Sequence, residues 1–293
     1  MLTGKFVFQA WQDNSNGIFS IDVDGSNLRR ITEISKSYYG PALSRDSQKI
    51  AASLPRSYRG AHRKLKDCIG IMNSDGSNEV RLTGEDSNYY LPSFSPDGKR
   101  IVCVSSAKVR GLAVIDIASG DLKPILNGNI WGAPVFTADG NEVIYQEDGR
   151  RFCSVDIEGN NQRILFEHSS YGLVVAVNPL GRQIAVCERV YDVPELGPDE
   201  VIEHDEDEEN DEVMRFTLFL SDIDGSNRFY PCRNFWNIRW SVFSPDGVYF
   251  AVLGRKTRAE RTQIYIFQTD GVEVGRVSFD EYGFRPESLC WGQ

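Results

Sequence analysis

Short apolar or alternating runs recur along the whole chain, each stopped by a turn in which glycine follows aspartate or another small polar residue. Two phrases carry the pattern. One reads FSPDGKRIVCV from Phe94 and FSPDGVYFAVL from Phe243. The other reads IFSIDVDGSNLRRIT from Ile18, IGIMNSDGSNEVRLT from Ile69 and LFLSDIDGSNRFYP from Leu218. Asp-Gly between alternating runs suits a tight hairpin, because both residues tolerate the positive φ angles such turns impose. The spacing therefore predicts two hairpins in series per unit, a four-stranded antiparallel sheet with strands a, b, c and d. Recurrence at intervals of roughly 40 to 65 residues marks a repeat architecture, in which a unit that cannot bury its own apolar face stacks on its neighbours.

Six c–d turns can be counted, at Asp24-Gly25, Asp75-Gly76, Ser119-Gly120, Glu158-Gly159, Asp224-Gly225 and Asp270-Gly271. The first run, Phe6-Val7-Phe8, reads as a strand b without its a, and the last, Arg285 to Trp291, as a strand a without its b. Pairing the two ends completes one blade and leaves the ring without a free edge. The expected fold is all-β, a six-bladed β-propeller of four-stranded antiparallel blades closed by its terminal strands, with residues 1–293 forming a single domain.

The SPDGK and DxDGSN-x-x-x-LT phrases resemble those of TolB-type six-bladed β-propellers, relatives of the WD-repeat proteins, over essentially the whole chain. These are turn and packing residues, shared by binding proteins, peptidase propellers and sugar-active enzymes, so the resemblance implies the fold and leaves the function open. The bacterial translocation protein of that family carries a domain ahead of its propeller, and no such domain is expected from these residues. Its partner is not carried over.

Composition is compatible with a compact domain: 41% of the 293 residues are apolar, and no window approaches the run of about 18 apolar residues that a membrane span needs. A strand already begins by Lys5, so a cytoplasmic location is expected, the alternative being a periplasmic or secreted protein whose leader has been removed. The six cysteines, at 68, 103, 153, 187, 232 and 290, form no CxxC pair and are expected to be reduced and buried. Only His62, His168 and His204 occur, without HExxH, GxSxG or a phosphate loop. The runs Asp22–Asn27 and Asp222–Asn227 share half of a calcium loop but lack its closing glutamate, and turn chemistry explains them. No catalytic residue, metal site or cofactor is expected.

Up-and-down strands place the a–b and c–d turns on one face and the b–c loops, with the connections into each inner strand, on the other. On that second face each connection carries an aromatic residue: Tyr39, Tyr90, Trp131, Tyr171, Trp236 and Tyr282, interleaved with Arg239 and Arg285. Ringing the channel mouth, they would suit stacking on a sugar or clasping a peptide; the plainer alternative is that they wedge between blades. Two b–c loops are enlarged with opposite charge. The blade 2 insert, 54–67, is basic. The blade 5 insert, 189–214, holds eight carboxylates between Glu203 and Glu212, most of the net charge of −10. Three blades apart in a ring of six, a basic and an acidic lip would face each other. That balance disfavours nucleic acid as a partner. The chain is expected to be a monomeric, non-catalytic recognition module or scaffold that binds a protein segment or small ligand at the channel mouth. The alternative is a carbohydrate-active lyase or hydrolase working on a sugar held by the aromatics.

Overall fold

The structure, a computed structural model, describes residues 2–12, 15–55, 67–84, 88–106, 110–168, 172–190, 215–233, 235–282 and 285–293. Its strands come in the expected order. Blade 1 holds β1 (Lys5–Gln12), β2 (Ser15–Asp22) and β3 (Arg29–Arg30), and blade 2 holds β4 (Tyr39–Leu43), β5 (Lys49–Pro55), β6 (Asp67–Asn73) and β7 (Val80–Arg81). Blade 3 comprises β8 (Tyr89–Phe94), β9 (Arg100–Ser106), β10 (Arg110–Asp116) and β11 (Leu122–Asn127). Blade 4 comprises β12 (Ile130–Phe136), β13 (Glu142–Glu147), β14 (Arg151–Asp156) and β15 (Arg163–Glu167). Blade 5 follows with β16 (Gly172–Val177), β17 (Ile184–Val190) and β18 (Arg215–Ser221). Blade 6 has β19 (Asn237–Phe243), β20 (Tyr249–Arg255), β21 (Gln263–Gln268) and β22 (Glu273–Val277), and β23 (Pro286–Gly292) returns to blade 1. Every ladder is antiparallel, and the inner strands β23, β4, β8, β12, β16 and β19 neighbour one another in a closed circle.

Closure is as the two ends of the sequence imply. β1 pairs with β23 through Phe6↔Trp291, Val7↔Cys290 and Phe8↔Leu289. Phe6 lies against Trp291 at 4.8 Å between ring centroids, and Phe8, Phe279, Leu289 and Trp291 share one buried cluster. The six clusters of buried apolar side chains lie between adjacent blades, which makes each blade the wall of its neighbour's core.

The turns repeat their chemistry blade by blade. In the a–b turns a hydroxyl binds the aspartate two residues on and also accepts the backbone N–H that opens the next strand: Ser44 with Asp46 and Lys49, Ser95 with Asp97 and Arg100, Thr137 with Asp139 and Glu142, Ser244 with Asp246 and Tyr249. At the c–d turns Ser26, Ser77 and Ser226 donate to Asp24, Asp75 and Asp224, and Asn27 and Asn227 close back onto Asp22 and Asp222. These internal bonds account for the acidic residues that resemble half a calcium loop. In blade 2 the left-handed turn position is Ser47, φ +59°, in place of glycine. Its hydroxyl accepts the Gln293 N–H at 2.7 Å, so the residue that tolerates strain there also ties down the end of the chain.

Blade 5 departs from the four-stranded plan. Its outer strand is reduced to a single bridge between Leu220 and Phe229. The chain then reaches Pro231, which has no N–H to extend a ladder.

Candidate functional site

The inner strands β4, β8, β12 and β19 enter the ring on the face of the b–c loops and are tied to them there. Asn16 O accepts the Tyr38 N–H, Asn88 O the Ser106 N–H, Asn129 O the Asp148 N–H and Arg255 O the Trp236 N–H. Asparagine side chains add to this: Asn88 accepts from the Asp67 N–H and Asn237 from the Phe216 N–H. The starts of the inner strands therefore form a hydrogen-bonded rim around one end of the channel.

On this rim adjacent side chains divide between packing and exposure. Tyr38 is 2% exposed, and Tyr89, Ile130 and Phe235 are also buried in the clusters between blades. Their neighbours are more exposed, although Tyr90 still packs against the cluster between blades 3 and 4. Tyr39 is 38% and Trp131 44% exposed, while Tyr90 and Trp236 are half-buried. Tyr282 is 39% exposed, Arg239 half-buried and Arg285 exposed at the edge of β23. Tyr171 lies outside the described residues, as do the tips of the basic insert, 56–66, and of the acidic insert, 191–214. The roots of both inserts are visible, on β5 and β6 and on β17 and β18, in blades three apart in the ring.

Successive strand residues face opposite ways, and a β-bulge at the start of the inner strand sets which of each pair turns outward. The register slips between Tyr39 and Ala42, between Tyr90 and Ser93 and between Trp131 and Val135, with further slips in blades 5, 6 and 1. Gly40, Leu91 and Gly132 take positive φ at these points. For Leu91, φ +53°, that conformation costs on the order of 1 kcal/mol. The Leu91 N–H donates to Ser53 Oγ of the preceding blade at 3.1 Å, just as the Gly40 N–H donates to Gln9 Oε1 at 2.9 Å. Leu91 also explains Gly40, since a Cβ there would lie 3.1 Å from the leucine Cδ2.

Gln9 and Glu287 are rim residues that the sequence pattern does not single out. Gln9 Nε2 donates to Glu287 Oε2 at 2.5 Å and, more weakly, to Asn16 Oδ1 at 3.4 Å. Burial raises the Glu287 carboxyl above its ordinary value, and the charge of Arg285 and the Gln9 hydrogen bond pull it back. Glu287 sits at the bulge of the closing strand, between Pro286, which pairs with Ala10, and Ser288, which pairs with Gln9. Elsewhere in blade 5, Glu188 Oε2 lies 2.5 Å from His168 Nε2, both side chains being more than nine-tenths buried, and the imidazole stacks on Phe219. Among the described residues no group of three or more His, Cys, Asp or Glu side chains could hold a metal ion.

A second concavity lies at the opposite end of the channel. It holds about 260 Å³, runs from the bulge prolines Pro41, Pro92 and Pro134 down to the a–b turns, and contains none of the eight aromatic and arginine candidates.

Six antiparallel blades in a ring latched by β1 and β23 match a solved TolB structure along nearly the whole chain. TolB from Acinetobacter baumannii superposes with a TM-score of 0.72 at 17% identity, over 99% of this chain and 67% of that one. The chain is a TolB-like propeller. Tol-Pal system protein TolB from Francisella tularensis subsp. tularensis (strain WY96-3418) is 28% identical over 202 aligned residues, 53% of this chain and 46% of that protein; its counterpart from subsp. mediasiatica (strain FSC147) is 27% identical over the same span. The TolB-like propeller thus spans about half the length of the curated relatives it matches. The same fold occurs in Kuenenia stuttgartiensis hydrazine synthase (TM-score 0.71, 12% identity, 99% of this chain and 47% of that one) and in oligogalacturonate lyase from Vibrio parahaemolyticus (0.54, 13%, 95% and 74%). At such identities these likenesses concern the fold alone. No family model matches the TolB-like propeller.

Proposed function

We propose that this TolB-like propeller is a non-catalytic recognition module that holds a segment of a protein partner across the rim formed by the starts of its inner strands. The observation that carries this is the exposure of Tyr39, Trp131 and Tyr282 beside residues that fill the blade interfaces. Tyr38, Tyr89, Ile130 and Phe235 fill the wedges between blades, and the exposed surface of Tyr39, Trp131 and Tyr282 faces solvent, where a partner can cover it. Large amphipathic rings on a hydrogen-bonded scaffold provide contact area with little entropy to lose. Half-buried Arg239 and exposed Arg285 give that rim positive charge for carboxylates or backbone carbonyls. The resemblance to Tol-Pal system proteins supports a protein partner and favours the periplasmic alternative over a cytoplasmic location; six free thiols, five of them buried, are compatible with either.

Replacing Trp131 and Trp236 together by alanine tests this. Retention of partner proteins from a native extract of the source cell is expected to fall while the melting temperature stays within a few degrees of the parent. Normal stability with unchanged retention would remove the rim from the binding surface. Loss of stability on the scale of a core truncation, roughly 3 to 5 kcal/mol, would return these aromatics to a packing role.

A further inference from the structure

We infer that the channel end opposite the aromatic rim is a separate binding site, for a small carboxylate with a compact apolar body such as an aryl or branched-chain acid. The cavity there, about 260 Å³, is the size of a single ring with a short side arm. Its wall is apolar and partly open: Leu43, Phe94, Val135, Val177, Trp240 and Val242 line it and keep half-buried surface facing the space. Apolar side chains left open to a concavity gain by covering it with an apolar ligand.

The wall's turn hydroxyls do not ask for a polar ligand. Ser44, Ser95 and Thr137 are committed to Asp46, Asp97 and Asp139. Arg45 differs. It lines the cavity at its outer edge, is exposed, and makes no ion pair or hydrogen bond among the described residues. The neighbouring carboxylate that could have paired with it, Asp46, is taken up by the Ser44 hydroxyl and the Gln48 N–H. A greasy pocket with one uncommitted guanidinium at its mouth fits an apolar body inside and a carboxylate at the edge, where arginine presents paired N–H donors. Trp291, another wall residue, has an indole Nε1 that is buried without a partner. This site shares no residue with the rim and stands or falls independently of it.

The test uses phenylacetate and its uncharged analogue 2-phenylethanol, titrated against the whole chain and followed by tryptophan fluorescence, since Trp240 and Trp291 line the cavity, and by calorimetry. Phenylacetate is expected to saturate with a Kd below roughly 10 mM. Arg45→Gln is expected to weaken phenylacetate about fivefold, the scale of an exposed charge pair, and to leave 2-phenylethanol unchanged. Ala133→Phe, placed in the wall, is expected to abolish both. Failure of phenylacetate to saturate would overturn the proposal, as would an Arg45→Gln effect that is nil or equal for both probes. Arg45 sits in an exposed turn, so this comparison stands even where Ala133→Phe does not fold.

Discussion

If β23 is the latch of the ring, a single truncation within it should weaken the whole molecule. Leu289 is 1% exposed, pairs with Phe8 across the β1–β23 ladder and packs with Phe279 and Trp291. Leu289→Ala removes the branched end of the side chain and leaves a cavity between elements drawn from opposite ends of the sequence. Buried leucine truncations cost about 2 to 5 kcal/mol, and the lack of room to collapse beside three aromatic rings puts this one near 3 kcal/mol. That is a large share of a typical stability of roughly 5 to 15 kcal/mol. Equilibrium urea unfolding followed by tryptophan fluorescence is the assay. The midpoint should fall with an unchanged slope, while Leu180→Ala, at a site 58% exposed, should change stability by less than about 0.5 kcal/mol. A variant that unfolds at the parent's midpoint, with only the β23 amides exchanging faster, would show a strand that frays locally and would refute its role as latch.

Burial pushes the Cys187 thiol up to about 12 and raises those of Cys103 and Cys153, so all three should resist a thiol reagent in the native protein and react on unfolding; fast native labelling would place them outside the core. Hydroxyl and backbone hydrogen bonds hold the turn aspartates Asp46, Asp97 and Asp139 below their ordinary values, Ser44, Ser95 and Thr137 being the largest cause in each. A folded value below the unfolded one gives stability that is present above the unfolded value and is lost as pH falls through the folded one. Their contribution should thus be constant from pH 7 to about 5 and decline below about pH 4, read as the urea midpoint against pH; a decline complete by pH 5 would contradict it. Neutralising the eight carboxylates from Glu203 to Glu212 is expected to leave the melting temperature nearly unchanged and to alter the rate of partner association, because exposed charge steers encounter more than it stabilises; a large drop in melting temperature would mean a docked, structural loop.

The ring is legible in the sequence because its turns are chemically demanding. All six c–d turns expected at an X-Gly pair close through that glycine's N–H at positive φ, from Gly25 to Gly271. Only local geometry is needed to read them. Ser47, which fills a glycine position, and the loss of the outer strand near Pro231 are harder, since each depends on a partner or a missing donor at one place in the fold. The rim is half legible. An aromatic in each connection is plain, but which of Tyr38 and Tyr39 turns outward depends on a bulge at Gly40, and a bulge resets the two-residue period from which burial is read. The cavity at the other end is invisible in the sequence: Leu43, Phe94 and Val242 read as ordinary core strand, and whether six inner strands fill their channel depends on the diameter of the whole ring.

The claim that the aromatic rim holds a protein partner is tested most directly by photo-crosslinking from defined positions. A benzophenone amino acid placed singly at Tyr39, Trp131 or Tyr282 reports on the rim, and one at Val248 or Val272, which are exposed on the opposite face, serves as the control. The expected result is the same crosslinked partner band from all three rim positions, absent from the two turn positions and lost when Trp131 and Trp236 are replaced in the Tyr39 and Tyr282 probes. Adducts arising from the turn face, with none from the rim, would contradict the account.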